Sequence, residues 1–164
     1  MRDGRRPFVS ILLWIAAIGW GALLFYFSGQ SGLESGELSL RFTRFVLRMF
    51  PFLPYSVEVL EPVLRKCAHF GIFSVEGFLL ASAMMTTRRE GAVGGALAAL
   101  TCAIVAVLNE YHQSFSDGRS CEVRDMLIDT GGALTGVLFA ALIVCLALRF
   151  ARRAREREEN VIIS

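Results

Sequence analysis

The chain has 164 residues, 54% of them hydrophobic and 20% charged, with a formal net charge of +2. So slight a charge gives no reason to expect nucleic acid as a partner. A soluble domain of this length would disperse its apolar residues at amphipathic spacing, whereas here they are gathered into long runs.

Those runs are Val9 to Phe27, Ala68 to Thr87, Ala92 to Leu108 and Met126 to Phe150. A membrane helix needs roughly 20 apolar residues, so the expectation is an all-α membrane protein with four transmembrane helices. Their expected extents are about 8–27, 64–87, 91–113 and 121–150, in a single membrane domain over 1–150 followed by a charged cytoplasmic tail over 151–164. Arg2, Arg5 and Arg6 could open a signal peptide, but the first run is longer than a signal-peptide core and no small-residue cleavage pattern follows Phe27. A retained helix is expected.

Basic residues fix the expected orientation. Arg2, Arg5 and Arg6 precede the first helix, Arg88 and Arg89 sit in the short turn after the second, and Arg149, Arg152, Arg153, Arg155 and Arg157 follow the fourth. All lie close to helix ends on one side of a four-span bundle. The positive-inside rule then puts both termini in the cytoplasm of a bacterial inner membrane, with the long loop and residues 109–129 facing outward.

In chain order, the first helix carries Trp14 and Trp20, with Phe25, Tyr26 and Phe27 at its outer end, the composition of an aromatic belt. Ser10, Ala17, Gly21 and Ser28 form a small or polar stripe on it. The segment SGQSGLES then reads as a helix exit and turn, with Ser28, Gln30 and Ser31 as capping residues. Over about 37–50, Phe42, Phe45, Val46, Met49 and Phe50 recur at helical spacing opposite Arg41, Arg44 and Arg48. This predicts an amphipathic helix lying in the outer headgroup region, its arginines meeting lipid headgroups or an anionic ligand. Pro51, Pro54 and Pro62 are expected to break the chain before the second helix begins near Leu64.

On the second helix, Lys66, His69, Phe73 and Glu76 share one face at about 100° per residue. On the third, Gly91, Gly95, Ala98, Cys102, Asn109 and Gln113 form a narrow arc that turns polar at its outer end. The fourth, with Ser120 as expected N-cap, aligns Glu122, Asp125, Asp129, Gly132 and Gly136, while Arg124 falls opposite. Small-residue stripes let membrane helices approach closely. Polar groups at the lip of a hydrocarbon layer are costly unless they face protein or a cavity, and they therefore mark a functional site.

The motif K-x-x-H-F (Lys66, His69, Phe70) and the longer N-E-x-H-Q-x-F-x-x-G-R-x-x-x-x-x-D-x-x-x-D-x-x-G-x-x-x-G, from Asn109 to Gly136, resemble the VanZ-like family. The resemblance runs from the first helix through the fourth. It implies a multi-span bacterial envelope protein, related to an accessory factor of glycopeptide (teicoplanin) resistance, with signature positions at Lys66, His69, Glu110, Gln113, Arg119, Asp125 and Asp129. Asn109 stands where the family usually has Asp, Phe73 where Tyr is frequent and Asp117 where Pro is common. Glu76 falls outside the motif.

Three chemistries fit these residues. In the first, Lys66 and Arg119 bind the phosphate or carboxylate of an amphiphile, and His69 acts as acid/base with Glu110 or Asp129 orienting it. In the second, the same groups, with Asn109, Gln113 and Asp125, hold a lipid-linked cell-wall precursor or lipoglycopeptide without turnover. In the third, the charges only neutralise one another and fix helix register. Transport is disfavoured because the polar groups cluster at one end, Glu76 alone reaching inward. His69, Glu110, His112, Asp125 and Asp129 include metal-ligand types, yet no H-x-x-x-H or C-x-x-C occurs; no metal or cofactor is assigned. Cys102 and Cys145 are expected as buried thiols and Cys67 and Cys121 near the outer surface. Oligomeric state is not legible.

Overall fold

A computed structural model describes residues 5–87 and 91–163. Arg2, Arg88 and Arg89, on which the expected orientation partly rests, lie outside the described residues, as do the side chains of Arg5, Arg6, Arg152, Arg155 and Arg157. Among the described residues the chain forms five helices and no strand: α1 (Arg5–Ser28), α2 (Gly32–Met49), α3 (Val57–Thr87), α4 (Gly91–Gln113) and α5 (Val123–Ile163). Four of them, α1 and α3 to α5, are long and apolar enough to cross a membrane, which makes this a multi-pass membrane protein. Their outward surfaces carry exposed Ile15, Ile18, Leu100, Leu138 and Phe139. Such surface suits hydrocarbon and would be a liability in water.

Helix α3 is the centre of the bundle and packs against every other helix. Its tightest seam is with α5, because the two backbones touch. A Cβ on Gly136 would collide with the Ser74 carbonyl, one on Gly132 with the Phe70 carbonyl, and one on Gly77 of α3 with the Ala133 carbonyl. The G-x-x-x-G pair of α5 thus serves van der Waals packing between helices that gain nothing from hydrophobic exclusion in lipid. The remaining core is equally small-grained: Ala17, Ala81, Ala98, Cys102, Ala133 and Ala140 are buried around Phe73. On α4 the close approach to α3 falls at Gly94, beside the backbone of Met84 and Met85, while the expected stripe member Gly91 meets nothing.

Helix α2 starts earlier than its apolar period foretold. Ser31 and Glu34 close a capping box, the Glu34 amide donating to Ser31 Oγ at 3.3 Å and the Ser31 amide to Glu34 Oε2 at 3.0 Å. The helix then shows three faces. Ser35, Ser39 and the fully buried Thr43 turn to the bundle, Leu38, Phe42, Phe45 and Met49 are exposed apolar groups, and Arg41, Arg44 and Arg48 are exposed cations.

Several boundaries differ from expectation for identifiable reasons. Helix α3 begins at Val57 and contains Pro62. The bond that Pro62 cannot donate lies within the second turn, close to where helical amides lack partners anyway, so the proline is tolerated. Ser120 does not cap α5: the helix starts at Val123, the amides of Asp125 and Met126 donating to the Glu122 carbonyl. At its other end α5 continues through the charged tail to Ile163.

The tryptophans are not simply belt residues. Trp14 Nε1 donates to Thr87 Oγ1 at 3.0 Å and Trp20 Nε1 to the Ile72 carbonyl at 3.0 Å, pinning α1 to α3 at two depths. An indole N–H placed in hydrocarbon needs an acceptor, and α3 supplies it. Cys102 is buried as expected, but Cys145 is exposed on the apolar surface of α5, and all four cysteines are free.

Candidate functional site

At the end of the bundle remote from the chain termini, two loops are stitched together. The Gly32 amide donates to the Asp117 carbonyl at 2.8 Å, and Gly118, with φ of +74°, makes the turn that brings Arg119 back towards α1. Arg119 Nη1 then donates to the Ser28 carbonyl at 3.2 Å and the Gln30 carbonyl at 3.5 Å. The first is an orphan acceptor at the C-terminus of α1, where a cation is favoured, and the second lies two residues beyond the helix. Ser28 Oγ donates to the Asn109 carbonyl at 3.2 Å, tying α1 to α4. His112 sits on the α1 side, edge-on to Phe25 with Nδ1 3.5 Å from Ser28 Oγ, well away from the carboxylates.

Between α1, α2 and α3 this end opens into a cavity of about 490 Å³, within the range of small-molecule sites. Its walls are apolar, with Leu23, Leu24 and Phe27 from α1, Leu38 and Phe42 from α2, and Leu64 and Ile72 from α3. Polar groups gather towards the loops: Arg65 and His69 from α3, Asn109 and Gln113 from α4, Gln30 and Arg119 from the connections. Asn109 is 1% exposed, and its Oδ1 has no hydrogen-bond partner. Burial, reinforced by the nearby Arg65 guanidinium, holds the Arg119 pKa below the ordinary arginine value. Neither arginine has a salt bridge among the described residues.

The carboxylates occupy a separate layer behind the cavity, along the α3–α5 seam. Lys66 Nζ meets Asp125 Oδ1 at 2.7 Å. One turn deeper, His69 Nδ1 lies 3.4 Å from Oδ1 of Asp129, which is wholly buried and has no aligned hydrogen-bond donor. Glu110, 1% exposed, accepts from the Glu122 amide at 3.4 Å and lies within the fields of Asp125, Asp129 and His69. Glu76, midway down α3, is buried beside Gly21 with Oε2 unpartnered and does not line the cavity. Among the described residues, no three His, Cys, Asp or Glu side chains are grouped as metal ligands.

The residues singled out from sequence therefore fall into two sets rather than one chamber. His69, Asn109, Gln113 and Arg119 line the cavity, while Lys66, Glu110, Asp125 and Asp129 lie behind it. His69 belongs to both, with one edge on Asp129 and another on the cavity. Arg65 also lines the cavity, although it stands outside the motif; the sequence marks it only by its charge beside Lys66 and one turn before His69 on α3. The apolar walls contributed by α1 and α2 carry no sequence mark that separates them from lipid-facing residues.

A family model described as VanZ/LLP1 matches residues 13–145. No curated protein and no solved structure matches the chain.

Proposed function

The chain belongs to the VanZ/LLP1 family, and on that footing we propose that its cavity takes up an amphiphilic cell-envelope ligand, a lipid-linked precursor or a lipoglycopeptide, from the outer leaflet of the bacterial inner membrane. One observation carries this: an apolar-walled cavity at the end of a membrane bundle that closes on polar side chains from α3, α4 and the loop before α5. A ligand with a hydrophobic chain and a polar head matches both halves, whereas a purely soluble metabolite would leave the apolar walls unused. The outward direction follows from the arginines at the helix ends near the termini.

The test is incubation of the purified protein with labelled lipid-linked precursors and with labelled teicoplanin. Saturable retention of unchanged ligand supports binding. Retention no greater than that of an unrelated membrane protein refutes it.

His69 and Asp129 favour a second reading, turnover of the same ligand. A histidine that lines a cavity and is backed by a buried carboxylate at 3.4 Å is arranged as a general acid/base with an orienting partner. Appearance of a converted product, lost in His69→Gln, would establish catalysis. A role in glycopeptide resistance is tested by expressing the protein in a susceptible host and measuring teicoplanin tolerance.

A further inference from the structure

The amphiphile reading leaves the chemistry of the polar head open, and the cavity narrows it. Arg65 and Arg119 both line it, and neither has a carboxylate partner among the described residues. Arg119 spends Nη1 on the carbonyls of Ser28 and Gln30, which leaves the rest of its fork uncommitted. Two guanidiniums sharing a partly buried site repel each other, and the nearby Glu110 and Asp125 offset the cost at Arg119 only in part, so an anion between the two arginines would be stabilising. Asn109 adds an independent mark, because the residue lines the same space and its Oδ1 is buried without a donor. Buried acceptors are seldom left unmade, and the atom that would meet this one must bring a hydrogen. From Arg65 to Phe73 the lining of α3 covers about 12 Å at the helical rise. The apolar part therefore has length for a hydrocarbon chain as well as a head.

We propose that the cavity is a binding site for a phosphate ester of a long-chain hydrophobe. The phosphate lies between Arg65 and Arg119, a hydroxyl of the head donates to Asn109 Oδ1, and the chain runs past Leu24 and Phe27 towards Trp20. Guanidinium forks match phosphate oxygens in pairs, which an uncharged sugar head does not exploit. Lys66 takes no part, its charge being already used by Asp125. This assignment rests on the amphiphile reading and specifies its headgroup.

Trp20 lines the cavity, and the chain has only two tryptophans. In Trp14→Phe protein, purified full-length in a neutral detergent, Trp20 fluorescence is therefore a reporter for a bromine-labelled chain. The probes are a brominated dodecyl phosphate and a dodecyl maltoside brominated at the same carbons. The phosphate should quench Trp20 at a concentration about tenfold or more below the maltoside. Arg65→Gln, which removes no hydrogen bond among the described residues, should bring the two probes together, and Arg65→Lys should restore part of the gap. Equal quenching by both probes would overturn the phosphate assignment and leave the amphiphile reading standing. No quenching by either, in protein that still melts cooperatively, would overturn both. Displacement of the brominated phosphate by inorganic phosphate at matching concentration would reassign the site to a free anion. A preference unchanged in both Arg65→Gln and Arg119→Gln would remove the arginines from the site.

Discussion

Lys66 Nζ and Asp125 Oδ1 meet at 2.7 Å across the α3–α5 seam, and neither residue lines the cavity beside them. Both side chains are about two-thirds buried, with exposures of 31% and 28%. Their pairing therefore lies between the exposed limit, where an ion pair contributes little, and the buried limit, where losing one partner is severe. Lys66→Met should destabilise the protein by about 1–3 kcal/mol, and the exchange Lys66→Asp with Asp125→Lys should recover part of that loss. Thermal melting of the single and double variants in detergent measures the coupling. An additive double variant would mean that the pair contributes nothing to register.

One turn deeper the same seam holds His69 against Asp129. Asp129→Asn preserves size and removes the charge that backs the imidazole. The variant should keep a melting temperature close to that of the parent, because the Asp129 oxygens make no aligned hydrogen bond that the change would break. If the site turns its ligand over, the rate should fall by about 10²–10⁴. Rates and melts together separate the two roles: a variant that melts normally and turns over at the parental rate would leave Asp129 without a part in acid/base chemistry.

Backbone contact between α3 and α5 makes a sharp packing prediction. Gly136→Leu drives a side chain into the Ser74 carbonyl and Phe78 amide and should cost about 3 kcal/mol or prevent folding altogether. Gly71→Ala, on the same α3 helix but with nothing near its Cβ, should be neutral or slightly stabilising. Comparison of the two by melting, or by resistance to protease in detergent, decides whether the seam is as close as described.

Cysteine accessibility tests both orientation and burial. With the other three cysteines replaced, Cys121 in the loop before α5 should react with a membrane-impermeant maleimide added to intact spheroplasts. Cys102, buried in the core, should resist the reagent even after permeabilisation. Cys145 should also escape it, because its exposure is to hydrocarbon, which a water-soluble, membrane-impermeant reagent does not enter. Labelling of Cys121 only after permeabilisation would reverse the expected topology.

Much of the bundle is legible before any coordinates. Hydrocarbon thickness sets the length of a span, so the four apolar runs announce α1, α3, α4 and α5. The period of Phe42, Phe45 and Met49 likewise announces α2. Helical phase also shows that Lys66 and His69 share a face, as do Asp125 and Asp129. What phase does not supply is the partner, since each polar face of a helix can meet any of several neighbours.

Three-dimensional packing made those choices. It matched Lys66 with Asp125 and His69 with Asp129 because glycines at 132 and 136 draw α5 against α3. It turned Trp14 and Trp20 inward because their N–H groups have no acceptor in lipid. It left Arg65 and Arg119 facing a cavity that α1 and α2 wall off. Sequence alone determined which segments belong to hydrocarbon and which faces are polar, as both depend on the chemistry of single residues and their spacing. Only the tertiary structure decided which charges neutralise one another and which, among the described residues, stand beside the cavity without a salt bridge, as that depends on distances between segments far apart in the chain.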